Sequence, residues 1–178
     1  MKKLVALLAV AGMMFSSFAA YAGTLTEAEF IANHKQQITN IENSVKEIVT
    51  IYKTTEQGKK IIKCAKEDTT PRSLPDITQA EKEKLQQANQ EFENQTIAFA
   101  ESLSTEDKDF IKQLVTTQYG TKFMEAVESS SQDELEAFFA MFLVNYMQET
   151  LLANISADEW ELFGYAEAAI IADELSEW

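Results

Sequence analysis

Residues 26–52 read TEAEFIANHKQQITNIENSVKEIVTIY, and this stretch decides the fold class. Its inward-facing positions recur three and four residues apart, at Ile31, His34, Ile38, Ile41, Val45, Ile48 and Tyr52. That spacing is typical of one face of an α-helix. Thr26, followed three residues later by Glu29, has the pattern of a capping box that opens a helix. We therefore predict an amphipathic helix from Thr26, packed in a helical bundle; a short coiled coil is the alternative.

The same periodicity recurs along the rest of the chain. Five Gly and two Pro leave little material for β-hairpins. Both prolines fall in residues 67–76, which predicts a loop. Further capping boxes predict helix starts at Ser131 with Glu134 and at Ser156 with Glu159. We therefore predict an all-α fold, a single helical bundle of six or seven helices that occupies residues 23–178.

The first 22 residues have the three parts of a secretory signal. Lys2 and Lys3 precede an apolar run from Leu4 to Phe15, and Ala20-Tyr21-Ala22 forms a cleavage site. The apolar run is shorter than the roughly 20 residues that a transmembrane helix needs. We expect cleavage after Ala22, export to the periplasm or beyond, and no transmembrane span in the mature chain.

Charge is the most informative bulk property. Residues 23–178 contain 13 basic and 29 acidic side chains, a net charge of −16, and no Lys or Arg follows Lys122. Nucleic acid is therefore not an expected partner. The acidic last third is either a solvated surface or a docking face for a basic protein or peptide. The candidate docking residues are Asp158, Glu159, Glu161, Glu167, Asp173 and Glu174.

Two segments of the chain match each other. Residues 54–62 read TTEQGKKII and residues 116–124 read TTQYGTKFM, each after an amphipathic stretch. The match predicts a helix corner in which Thr caps a helix and Gly permits close approach of the preceding one. The corner residues are Thr54 and Gly58 in the first copy and Thr117 and Gly120 in the second. Two related helical hairpins followed by C-terminal helices would result; chance similarity is the alternative.

This corner resembles the motif of a secreted bacterial domain-of-unknown-function family, in which an amphipathic helix ends in an aromatic pair and is followed by Ser or Thr, Pro, any residue and Gly before another helix. Tyr52 takes the aromatic place in the first copy, whereas Glu56 and Gln118 stand where the family has Pro. The resemblance covers roughly residues 40–128. It implies a helical exported domain and no activity.

The sequence contains no recognisable catalytic constellation. His34 is the only histidine and lies on the apolar seam, and Cys64 is the only cysteine. Neither a glycine-rich phosphate loop nor a calcium-binding loop is present. We therefore expect no enzyme activity, no catalytic residue, no metal site and no cofactor.

Two functional classes fit these features. The first is a periplasmic binding protein that engages a basic partner, such as an immunity protein that neutralises a cationic toxin or a helper of envelope protein folding. The second is a carrier of a small hydrophobic ligand, with its pocket along a Phe- and Met-rich helix. That helix contains Leu135, Phe138, Phe139, Met141, Phe142, Leu143, Tyr146 and Met147. Core packing is the alternative role for these side chains.

Overall fold

The structure, a computed structural model, describes residues 25–129, 131, 134, 138, 141–143 and 145–174. The described part of the chain is helical and has no β-strand, which confirms the prediction of an all-α fold. The predicted signal peptide lies outside the described residues. Where the chain is described, none of its helices is both long enough and apolar enough to cross a bilayer.

The helices with defined bounds are α1 Glu27–Asn33, α2 Lys35–Thr54, α3 Glu56–Lys66, α4 Gln79–Ser102, α5 Thr105–Tyr119, α6 Thr121–Glu128 and α7 Ala157–Glu174. The described residues between 134 and 146 are also helical and lead into a π-helical turn, Met147–Leu151. The longest described segment without helix, residues 67–78, contains the predicted proline loop.

Capping boxes fix where many of these segments begin. In each box a Ser or Thr hydroxyl accepts the backbone N–H three residues later, and an acidic side chain there accepts the cap's own N–H. The boxes predicted at Thr26, Ser131 and Ser156 are present. Two more form, between Ser104 and Asp107 and between Thr78 and Glu81.

The predicted first helix is interrupted at His34. This residue has φ −106° and ψ 13° and separates α1 from α2. Helical hydrogen bonds continue across it: His34 N–H donates to Phe30 O at 3.2 Å, and Ile38 N–H donates to His34 O at 3.0 Å. The interruption leaves the seam intact, because His34 and every seam position after it are buried.

Backbone contacts divide the chain into two compact units. Unit 1 comprises the described residues up to Thr39 together with Asn94–Ala153, and unit 2 comprises Asn40–Glu93 and the described residues from Asn154. The boundaries fall inside α2 and α4, so each of these helices contributes residues to both units.

Aromatic rings form the core of unit 1. Phe30 is fully buried; its ring stacks on Phe110 at a centroid distance of 5.0 Å and meets Phe99 edge-on at 6.4 Å. Tyr146 also contacts Phe30, and its hydroxyl donates to Glu27 Oε1 at 3.1 Å. Burial and the Glu27 carboxylate raise the pKa of Tyr146, so its hydroxyl remains a donor.

Aliphatic side chains dominate the core of unit 2. They come from one face of α2, from α3 and α4, and from the chain around α7: Ile41, Val45, Ile48, Val49, Ile61, Leu85, Ile155, Leu162 and Ile170. The buried Tyr52 donates its hydroxyl to Gln57 Oε1 at 2.7 Å, and Gln57 Nε2 donates to Pro75 O at 3.1 Å. These hydrogen bonds tie the proline loop to the corner between α2 and α3.

The first Thr-Gly segment forms a tight corner. Thr55, rather than Thr54, caps α3: its hydroxyl accepts Gly58 N–H at 2.9 Å and donates to Tyr52 O at 2.7 Å. Thr54 is the last residue of α2. A Cβ at Gly58 would overlap the backbone oxygen of Tyr52, so the backbone approach at this position requires glycine.

The second Thr-Gly segment has a different structure, and its predicted corner is wrong. Thr117 lies inside α5, where its hydroxyl donates to Gln113 O at 2.8 Å, so the segment does not interrupt that helix. Gly120 ends α5 with φ 88°, and a Cβ there would meet no atom within 4 Å. Glycine is favoured at position 120 by its left-handed backbone rather than by close helix approach.

Candidate functional site

The start of α7 carries three of the predicted docking residues, Asp158 and Glu159 in its first turn and Glu161 just after it. Ser156 caps the helix: its N–H and its hydroxyl each donate to Glu159 Oε2 at 2.8 Å. These hydrogen bonds hold the Glu159 carboxylate against the start of the helix. Asp158 and Glu161 flank it in sequence and are exposed to solvent. The cap therefore leaves the carboxylates of Asp158 and Glu161 available to another molecule.

Asp158 and Glu161 open onto a pocket of about 400 Å³ in unit 2. Its apolar lining comes from Ile61, Ile62 and Ala65 of α3 and from Leu162 of α7. Ile61 and Leu162 are buried, whereas Ala65 is exposed, so the pocket has an apolar floor and an open side. Its volume lies within the range of about 300 to 1,000 Å³ that is usual for ligand sites.

Two lysines line the same pocket. Lys53 comes from the end of α2 and Lys66 from the end of α3, while both carboxylates come from α7. Among the described residues, none of these four charged groups is held in an ion pair. The pocket therefore joins an apolar floor to positive and negative groups supplied by different helices.

The pKa of Glu159 is lowered by its place in the helix cap. The backbone N–H and then the hydroxyl of Ser156 lower its pKa, and the positive fields of Lys53 and Lys46 act in the same direction. Glu159 is thus ionised at neutral pH and adds negative potential beside the pocket. Both hydrogen bonds of the cap go to Oε2, so the carboxylate is held in place at the start of α7.

The structure brings together only part of the predicted docking set. Asp158 and Glu161 line the pocket, and Glu159 lies beside them. Glu167 is half-buried further along α7 and does not line it. Asp173 and Glu174 belong to the last described turn of α7, and their side chains lie outside the described part of the structure.

Sequence reasoning missed the lysines and the apolar floor. Ile61 and Ile62 end the first Thr-Gly segment, and nothing in the spacing of α3 shows that they face α7. Both lysines lie in the last turns of their helices, where positive side chains interact favourably with the helix dipole. That local preference explains why lysine occurs there without indicating a pocket.

A second polar cluster is buried in unit 1. His34 Nε2 lies 3.1 Å from Asp107 Oδ1, and both side chains are 7% exposed. Burial raises the pKa of Asp107, but hydrogen bonds from Ser104 and the contact with His34 outweigh it, so the pKa lies below its usual value. Phe30 and Phe99 contact the imidazole at 4.9 Å and 5.4 Å between ring centroids. The pair links the residue between α1 and α2 to the start of α5, and both of its side chains are buried.

The Phe- and Met-rich helix supplies core side chains. Phe142, Leu143, Tyr146 and Met147 are buried, and the rings of Phe142 and Tyr146 stack 6.3 Å apart. Met141 is 64% exposed, so this helix is not surrounded on all sides. Leu135 and Phe139 lie outside the described residues. The observed burial matches the core-packing role for this helix.

In the described part of the chain, no three His, Cys, Asp or Glu side chains are grouped closely enough to hold a metal ion. Cys64 is a free, half-exposed thiol on α3. No family model, curated protein or solved structure matches the chain.

Proposed function

We propose that this chain is an exported binding protein that engages a basic protein or peptide through its acidic C-terminal third. The observation that carries the proposal is the position of Asp158 and Glu161, two exposed carboxylates beside the apolar floor of the unit 2 pocket. A surface that serves only solubility does not require its charges to lie next to a cavity.

Two electrostatic effects support a positively charged partner. The segment after Lys122 has 13 acidic residues and no Lys or Arg, so its field extends well beyond the pocket and accelerates encounter with a cation. At contact, Asp158 and Glu161 accept hydrogen bonds from a Lys or Arg side chain. The long-range field thus sets the association rate, and the pocket residues set how long the complex lasts.

The apolar floor contributes binding free energy that exposed ion pairs alone do not supply. Exposed ion pairs contribute about 0.2 to 1 kcal/mol each, too little for stable binding. Full burial of a Leu, Ile or Phe side chain contributes about 1.5 to 3 kcal/mol. A peptide with a basic residue close to an apolar one therefore gains from both parts of the pocket.

The test is calorimetric titration of the purified protein with a short peptide that contains lysines and ends in leucine. We expect saturable binding that weakens as salt rises from 0.1 M to 1 M, because the screening length falls from about 10 Å to about 3 Å. A matched peptide with glutamate in place of lysine is the control. Equal binding of the two peptides, or no binding of either, would overturn the proposal.

A further inference from the structure

The two lysines of the unit 2 pocket restrict the chemistry of the partner further than the net negative charge of this protein does. A purely basic segment laid across the pocket would meet Asp158 and Glu161 favourably but would face Lys53 and Lys66 with like charge. Like charges placed together disfavour a complex. An occupant that satisfies the whole lining must therefore carry a negative group as well.

Every free polypeptide chain has one such group next to its last side chain. The terminal carboxylate is bonded to the Cα of the last residue, so it stays close to that side chain wherever the side chain binds. Because lysine ammonium groups donate strong, charge-assisted hydrogen bonds to carboxylates, Lys53 and Lys66 suit this group.

We propose that the pocket binds the C-terminal residue of a polypeptide, with an apolar side chain on the floor formed by Ile61, Ile62 and Leu162. The carboxylate lies beside Lys53 and Lys66, and a basic side chain upstream lies at Asp158 and Glu161. This inference rests on the proposed function and names the part of the partner that enters the site.

The pocket dimensions agree with such an occupant. A volume of about 400 Å³ is near the lower end of the range for ligand sites, which suits the end of a chain better than a folded surface. Extended residues advance by about 3.3 to 3.6 Å each, so the Cα of a basic residue one or two positions before the end lies about 3 to 7 Å from the last Cα, and its long side chain extends further.

The test compares three peptides by calorimetry on the full-length protein. All share one lysine-containing sequence that ends in leucine; the first has a free carboxylate, the second a C-terminal amide, and the third two further glycines and an amide. We expect the first to bind about fivefold or more tightly than the others, the size expected for one or two exposed ion pairs. Equal affinities would overturn the inference.

A variant of the two pocket lysines tests whether they cause the preference for a free terminal carboxylate. Replacing Lys53→Gln together with Lys66→Gln should abolish the difference between the free and the amidated peptide. Lys59→Gln with Lys63→Gln is the matched control, because these two lysines are exposed on α3 and outside the pocket lining. A carboxylate preference that survives in the first variant, or disappears in the control, would contradict the assignment.

The two proposals fail separately. If the free and amidated lysine peptides bind equally but the glutamate peptide does not bind, the C-terminal inference is wrong and the proposed function stands. If no lysine peptide binds, both are wrong.

Discussion

The helices α5 and α7 begin with the same local arrangement and use it differently. Each starts after a Ser, carries two consecutive acidic residues in its first turn, and closes a capping box with the second of them. In α5 that second residue, Asp107, is 5% exposed and contacts His34. In α7 the equivalent Glu159 is half-exposed, and Asp158 and Glu161 face the pocket.

This difference separates what local sequence controls from what packing controls. The Ser-x-acid-acid pattern produces the cap in both helices because its hydrogen bonds join residues three apart. Burial depends on what packs against the cap: a histidine and phenylalanines in unit 1, and an open pocket in unit 2. The cap is therefore mainly structural in α5, and it borders the candidate binding site in α7.

The largest expected difference in stability is between two variants that each lack one capping carboxylate. Asp107→Ala removes the acidic half of a capping box and leaves the buried His34 without its ionic neighbour, so we expect a loss of about 2 to 4 kcal/mol in unfolding free energy. Glu159→Ala removes only the exposed half of a cap, and we expect about 0.5 to 1 kcal/mol. Urea unfolding followed by circular dichroism measures both.

The conservative substitution Asp107→Asn separates the contribution of the charge from that of the cap. Asp107→Asn keeps an acceptor for Ser104 and removes the charge beside His34, so its cost should lie between the other two. Losses of similar size for Asp107→Ala and Glu159→Ala would mean that the buried pair contributes nothing beyond the cap.

The second expected effect is on the pH dependence of stability. The pKa of Asp107 is lowered in the folded state, so its ionised form stabilises the fold above the unfolded value near 4, and this contribution is lost as pH falls through the folded pKa. The wild-type thermal midpoint should therefore fall below about pH 4. The midpoint of Asp107→Asn should fall less steeply between pH 4 and pH 2.

The α7 cap provides the comparison for this titration. Glu159 also has a lowered pKa, but its carboxylate is more exposed to water. Glu159→Gln should change the acid slope of the midpoint less than Asp107→Asn does. A larger change in slope for Glu159→Gln than for Asp107→Asn would mean that the more important acid-sensitive contact lies in unit 2, which would contradict this prediction.

The sequence predicted the helices better than the contacts between them. Seam spacing and capping boxes gave the fold class and the starts at Thr26, Ser131 and Ser156, because their signals are local. The contact of His34 with Asp107 was missed, since 73 residues separate the pair in the chain. A Ser104-x-x-Asp107 box was nevertheless visible in the sequence and would have marked Asp107 as a helix-capping carboxylate.

The prediction that the two Thr-Gly segments form equivalent corners failed for a related reason. Their sequences match, but Gly58 lies where Tyr52 O approaches the first turn of α3, whereas Gly120 adopts a left-handed backbone that ends α5. Glycine permits both conformations, so its presence alone does not distinguish them. The candidate site shows the same limit: Asp158 and Glu161 were chosen by charge, and the lysines and apolar floor required the packing of three helices.

The smallest expected change in stability comes from the other acidic residue of each first turn. Glu106 and Asp158 are both exposed and both occupy the second position of their helices, so Glu106→Gln and Asp158→Asn lose the same favourable interaction with the helix dipole. We expect similar losses of about 0.3 to 1 kcal/mol by urea unfolding.

Peptide affinity should separate these two variants where stability does not. Asp158→Asn should weaken binding of the lysine peptide, and Glu106→Gln should leave it unchanged. Equal weakening in both would indicate attraction by net charge alone, without a defined site.

The central claim is that the pocket beside the α7 cap, rather than the acidic surface as a whole, is where a basic partner binds. Backbone amide chemical shifts recorded during titration with the lysine peptide test this directly. We expect the largest shifts at Asp158, Glu161 and Leu162 and across the pocket at Ile62 and Lys66, and no change at Glu106 and Asp107. Small shifts spread over all acidic segments, or a cluster of shifts at the start of α5, would contradict it.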